Sequence, residues 1–264
     1  MKKILVVVLL LLTFTTLALP IVAADGDELY VYVSITDGDN KLAYAKVKVL
    51  DKDGNGEFSV HDALYYAHVW YYEGGATAGY KSVPSAQGLR LTKLWGKENG
   101  SGYGYYVNDV AADSLEMSLK ENDHVHAFVY QDTVNGSDTY SYFDKIYFQV
   151  EKDESVTLTL MAATFDENRN PVKIPVTDAY ITLNGEKTDF RTDENGKVTI
   201  TFEKGGKTLV GAVSDSMNLV NPSCLVRVEG GFTMLGFVIL LLTVVVGFLC
   251  FGAWYLIVYR KKKA

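Results

Sequence analysis

Oxygen-bearing side chains recur with a fixed spacing in Asp51-Lys52-Asp53-Gly54-Asn55-Gly56-Glu57-Phe58-Ser59-Val60-His61-Asp62. With Asp51 at position one, they fall at one, three, five, nine and twelve. A hard cation such as Ca²⁺ takes six to eight oxygens, and a loop of this spacing wraps them around one point. Asp51, Asp53 and Asn55 are the expected side-chain ligands, and Glu57 binds through its backbone carbonyl. Ser59 acts through a water, and Asp62 closes the site. Gly56 occupies the sixth position, where the chain turns sharply, and Phe58 can anchor the loop to a core. The competing reading is a plain Asp/Gly/Asn turn. The six fitted positions favour calcium in a structural role.

Such a loop needs an element on each side. Lys46-Val47-Lys48-Val49 alternates as a strand. Ala63 to about Glu73 is a helical run that stops at Gly74-Gly75. The unit is therefore strand, loop, helix. Further strands are expected at 29–35, 41–50, 89–95, 103–110, 116–119 and 124–130, with a Gly/Ala/Ser-rich loop over 76–88. A second region, 146–229, reads as about six short strands at regular spacing, the pattern of a β-sandwich. Asn184-Gly185 and Asn195-Gly196 mark its hairpin turns. The expected class is α+β, mostly β, with two ectodomains at 25–145 and 146–229.

The termini suggest export and anchoring. Lys2-Lys3, an apolar run and Val22-Ala23-Ala24 read as a signal peptide over 1–24, with a retained N-terminal membrane helix as the alternative. Residues 232–259 carry no charge and are long enough to span a bilayer. The basic tail 260–264 then faces the cytoplasm. Localisation is thus a single-pass cell membrane protein with an extracellular ectodomain. Between the termini lie 19 basic and 32 acidic residues, a net charge of about −13. That balance argues against nucleic acid as a partner. The two cysteines, Cys224 and Cys250, fall on either side of the start of the span, so no disulfide is expected. An exported ectodomain without disulfides points to a bacterial or archaeal surface.

Several stretches stand in a recognisable order: Val31-Tyr32-Val33, Asp62-Ala63-Leu64, Gly79-Tyr80, Gly104-Tyr105-Tyr106-Val107-Asn108 and 123–130. They resemble the small β-rich domain at the C-terminus of transcobalamin and intrinsic factor, which bacterial surface proteins also carry as DUF4430. The resemblance covers roughly residues 29–132 and implies a corrinoid such as cobalamin as a possible ligand. The helical barrel that completes the animal site is absent from this chain. The Asp51–Asp62 loop, with its short closing Asp, is similar to dockerin loops more than to sensor EF-hands. The second region, through 179–185 and 192–200, is similar to bacterial Ig-like and carboxypeptidase-regulatory-like modules, which implies a spacer or stalk.

Fifteen of the eighteen tyrosines lie between Tyr30 and Tyr147. Tyrosine has an apolar face and a polar tip, which suits flat or sugar-like ligands, although packing in a small β core explains most of them. Tyr80, Trp95, Tyr103 and Tyr105 are the expected ligand-binding residues, because they lie in or beside glycine-rich loops. All four histidines are in the first region. His61 and His68 would share a helix face, and His124 and His126 a strand face. Such pairs suit a transition metal, and half-buried structural histidines explain them equally. No nucleophile motif appears, so no catalytic residue is assigned. The expected function is a non-catalytic surface protein that binds a small ligand. The alternative is an adhesive protein that contacts glycans or other surface proteins.

Overall fold

The computed structural model describes residues 28–86 and 88–229, and within a C-terminal helix 241–248, 251–252 and 254–255. The leader 1–24, the tail 260–264, Cys250 and much of the 232–259 span lie outside the described residues. Among the described residues no helix is long and apolar enough to cross a membrane. The protein is mostly β, and its sheets form two packed units.

In the first unit, β1 (Leu29–Asp37) and β2 (Asn40–Val49) form an antiparallel hairpin. Helix α1 (Val60–Tyr71) and the short helix α2 (Gly75–Gly79) follow. Strands β3 (Lys81–Ser85) and β4 (Gly88–Lys93) make a separate two-stranded ribbon. Then come β5 (Tyr103–Val107), β6 (Val110–Ala111) and β7 (His124–Val129). The main sheet runs β2-β1-β7-β5-β6, with β7 parallel to β1.

Period-two alternation gives this sheet two different faces. Val31, Val33, Ile35, Val125 and Ala127 point to one side and form a core with Leu64 and Ala67 of α1. Burying each Val, Ile or Leu side chain contributes roughly 1.5–3 kcal/mol, so the core outweighs the weak preferences of the individual segments. On the outer edge, Trp70 Nε1 donates to Lys48 O and the Tyr71 hydroxyl to Lys46 O. Two carbonyls of the exposed edge strand β2 are thereby covered.

The second unit is a two-sheet sandwich. One sheet is ordered β11 (Pro171–Pro175), β10 (Ser155–Phe165), β8 (Thr139–Phe143) and β16 (Leu219–Val220), with β14 (Lys197–Thr201) also on β10. The other is ordered β13 (Glu186–Arg191), β12 (Tyr180–Leu183), β15 (Gly206–Val213), β17 (Cys224–Glu229) and β9 (Tyr147–Glu151). Leu158, Leu160, Ile200, Ile181, Ala212 and Val226 fill the space between them.

Four details differ from the sequence expectation. Strand β8 lies before the expected boundary at 146, yet it pairs with β10 and β16, so it belongs to the sandwich. The expected loop 76–88 contains most of α2 and all of β3. The expected strand 116–119 makes only an isolated bridge, Ser118 to Ser59, because its backbone pairs with the start of α1. There Leu119 N–H donates to Phe58 O, and Val60 N–H to Met117 O. Finally, α1 begins at Val60 rather than Ala63, since Ser59 supplies its cap.

Candidate functional site

Residues 52–57 of the 51–62 loop are exposed, 59–62 are buried, and the exposed part is built around the half-buried Asp51 carboxylate. Asp51 Oδ1 accepts from Gly54 N–H at 2.8 Å and Asn55 N–H at 3.2 Å, and Oδ2 from Gly56 N–H at 2.8 Å. Gly54 and Gly56 have φ of +71° and +83°, which a side chain would resist. The Gly56 N–H, with those of Gly54 and Asn55 and the nearby Asp53 carboxyl, holds Asp51 below the usual carboxylate range. Asn55 Oδ1 accepts from Glu57 N–H at 2.7 Å. The Glu57 side chain is turned to the Ser118 hydroxyl at 3.1 Å.

Ser59 and Asp62 close a capping box at the start of α1. Asp62 Oδ2 accepts from Ser59 N–H at 2.9 Å and from the Ser59 hydroxyl at 2.6 Å. Asp62 Oδ1 accepts from Lys52 N–H at 3.3 Å, which ties position twelve back to position two. Among the described residues no three His, Cys, Asp or Glu side chains stand together as a ready metal cage. The loop thus offers an oxygen-only donor set in which Asp62 is engaged by the helix cap.

The four aromatic residues expected to bind a ligand do not share one surface. Tyr80 and Tyr103 are buried in the first core. The Tyr80 hydroxyl lies 2.7 Å from His61 Nδ1. The Tyr103 hydroxyl donates toward Thr92 O and Lys97 O and accepts from Asn99 N–H. Tyr105 and Trp95 pack partly buried against the same core. Glycine-rich neighbours made these residues read as loop surface, but all four pack against the core, and the Tyr80 and Tyr103 hydroxyls are hydrogen-bonded within the protein.

The histidine pairs lie on opposite sides of the main sheet. His68 bridges α1 to the 94–97 turn: Nδ1 donates to Leu64 O at 2.6 Å, and Nε2 accepts from Trp95 N–H at 2.8 Å. That pair of bonds requires the neutral ring, and burial pushes its pKa down to about 4. On the other face, His124 Nε2 lies 2.9 Å from the Ser34 hydroxyl, and His126 Nε2 lies 3.2 Å from the Thr36 hydroxyl. Burial, with Lys41 nearby, pushes His124 down to about 3 and His126 well down.

This second face is where the two units meet. Tyr140 of β8 stacks on Tyr106 of β5 with centroids 3.6 Å apart and planes 5° from parallel. Phe128, Tyr140 and Val220 form a buried cluster across the junction. Gly104 makes it possible, because a Cβ there would lie 2.2 Å from the Phe128 ring. Polar bonds add to it. The Tyr140 hydroxyl donates to Asp109 Oδ1 at 3.0 Å, Lys41 Nζ donates to Asn221 O at 2.7 Å, and Asn221 Nδ2 donates to Asp39 O at 2.7 Å.

Beside this cluster opens a cleft of about 670 Å³, walled by Tyr106, Tyr130 and Phe165 and floored by the 131–138 loop. None of these residues was singled out as a site in the sequence. The available signals were the Asn99-Gly100-Ser101 and Asn135-Gly136-Ser137 turns, which border it.

The chain matches no family model and no curated protein. Among solved structures it is similar to the D0-D1 domain of intimin, at 17% identity over 74% of this chain and 97% of that one, with a TM-score of 0.27. It is similar to tandem Ig repeats of Dlar, at 11% identity over 76% and 96%, with a TM-score of 0.23. It is also similar to the N-terminal four Ig domains of Dscam1 isoform 7.44, at 12% identity and a TM-score of 0.23. The last match covers 57% of this chain and 36% of that one. Likenesses at this level carry no argument about what the chain does.

Proposed function

We propose that this protein is a non-catalytic, membrane-anchored surface protein whose two-unit head binds an extracellular ligand. Calcium stiffens the first unit. The observation that carries the proposal is the Asp51 loop. A half-buried carboxylate is held ionised by three backbone N–H groups, in the loop that leads into a capped helix. Asp51, Asp53, Asn55 and the Glu57 carbonyl would hold the cation. Asp62 would close the site with Oδ1, which today meets Lys52 N–H. The ion would fix the entry to α1 and, through the Phe58–Leu119 and Glu57–Ser118 bonds, the 117–119 segment.

A non-catalytic role is supported by the histidines, the groups best suited to proton transfer near neutral pH. All four are buried and bonded to hydroxyl or backbone groups. The uncharged apolar stretch 232–259 would hold the head at the cell membrane. The transcobalamin-like resemblance of the first unit makes a corrinoid one ligand to test, and adhesion to glycans or surface proteins the other.

Calorimetric titration of Ca²⁺ into the full chain in detergent micelles tests the proposal. We expect one site, a raised melting temperature, and loss of both in Asp51→Ala. No heat and no thermal shift would remove calcium from the account. Cobalamin added to the same sample would report a corrinoid site through a change in its visible spectrum.

A further inference from the structure

The cleft between the two units has a composition that selects its ligand. Tyr106 and Tyr130 supply aromatic surface from the first unit, and Phe165 from the end of β10 in the second. Phe165 is 68% exposed, an aromatic ring at the mouth of the cleft with no core to serve. No Lys, Arg or His lines the cleft, so nothing in it would neutralise an anion.

Its polar groups are of two kinds. Asp132 and Asp138 brace the 131–138 loop: Asp132 accepts from Asn135 N–H and the Ser137 hydroxyl, and Asp138 from Gln131 and Asp132 N–H. The Asn135 N–H and then the Ser137 hydroxyl hold the Asp132 carboxyl down at about 2, so the loop carries fixed negative charge. Tyr106, Tyr130, Ser101, Thr133 and Thr164, which also line the cleft, each carry a hydroxyl. None of these hydroxyls has a hydrogen-bond partner among the described residues. Aromatic residues, residues with unpartnered hydroxyls and a braced acidic loop therefore surround one space. Its size lies within the range of about 300–1,000 Å³ that ligand sites occupy.

We propose that this cleft, formed jointly by Tyr106, Tyr130 and the 131–138 loop of one side and Phe165 and Thr164 of the other, binds a neutral saccharide. The C–H face of a pyranose ring packs on aromatic rings, and its hydroxyls both donate to carboxylates and exchange bonds with protein hydroxyls. The proposal names the ligand class for the surface-binding reading and rests on it. The calcium loop takes no part.

The test is saturation-transfer NMR on the full chain in micelles of a detergent without a sugar headgroup. The probes are maltotriose and triacetylchitotriose, with tetramethylammonium chloride as a cationic comparison. We expect transfer to the ring C–H protons of at least one trisaccharide. Phe165→Ala, at an exposed position, should weaken that binding about tenfold. Tyr130→Phe, which keeps the ring and removes the hydroxyl, should weaken it about fivefold. Three results would overturn the proposal: neither trisaccharide binding at millimolar concentration, only the ammonium ion binding, or both variants binding as the parent does. Asp51→Ala separates the two readings, because losing calcium there should leave saccharide binding unchanged.

Discussion

The two faces of the five-stranded sheet put the same residue type to different uses. On the helix side, His68 clips α1 to the Trp95 turn within one unit. On the opposite side, His124 and His126 bond to Ser34 and Thr36 under the neighbouring unit. Both faces are buried and both keep their imidazoles neutral, but only the first has an aliphatic core. The second is a plate of histidine, tyrosine, hydroxyl and Phe128, and it is an interface. A sheet face that reads as polar along the strand can therefore be as dry as the core, provided each polar atom finds a partner. The partnership is not complete: Asn221 Oδ1 and Ser223 Oγ are buried without one. They lie on the segment just before β17, where Asn221 also bonds Asp39 O across the junction.

Acid should have the largest effect, and it acts on both faces. Every histidine has its folded-state pKa lowered from the ordinary 6.5. The unfolded chain therefore takes up protons first as pH falls. Stability is full above about 6.5 and declines below it, by up to about 1.4 kcal/mol per pH unit for each histidine. For His68 the decline continues to about 4, and for His124 to about 3. Urea unfolding at a series of pH values should show this slope, and a flat profile would mean that the imidazoles are open to water.

One substitution on each face separates the two contributions. His68→Ala strands Trp95 N–H beside the core and leaves a cavity, and should cost about 3 kcal/mol in denaturant unfolding. Gly104→Ala acts on the other face by pushing Phe128 off the Tyr106–Tyr140 stack. We expect a cost of about 2 kcal/mol and a loss of near-ultraviolet circular dichroism from the junction. If Gly104→Ala is silent in both readouts, the two units do not depend on that packing. The smallest effect should come from Asp62→Ala, which removes the N3 half of the capping box while Ser59 still caps the helix, at about 1 kcal/mol without calcium. With calcium present the cost should be greater, and thermal melts with and without the ion measure the difference.

The local elements were legible in the sequence because their determinants are local. Alternation from Leu29 to Ile35 marked β1, and Asp62 followed by an apolar run marked α1. Gly74-Gly75 marked its end. The junction was not legible, because its partners are far apart along the chain. Tyr106 meets Tyr140, and Lys41 meets Asn221, only after two units have folded. The same distance hid β8, whose ladder is completed by β16. Tyr80 and Tyr103 were misplaced for a related reason. Flanking glycines suggested exposure, while the partners of their hydroxyls, His61 and the Thr92 and Lys97 carbonyls, lie outside those glycine-rich stretches.

Through the histidine face the two units pack as one body, and that packing also shapes the cleft. Scanning calorimetry of the full chain at neutral pH tests it most directly. A shared dry interface predicts a single cooperative transition in which the sheet and the sandwich melt together. Two well-separated transitions would contradict it, because each unit would then be standing without the other.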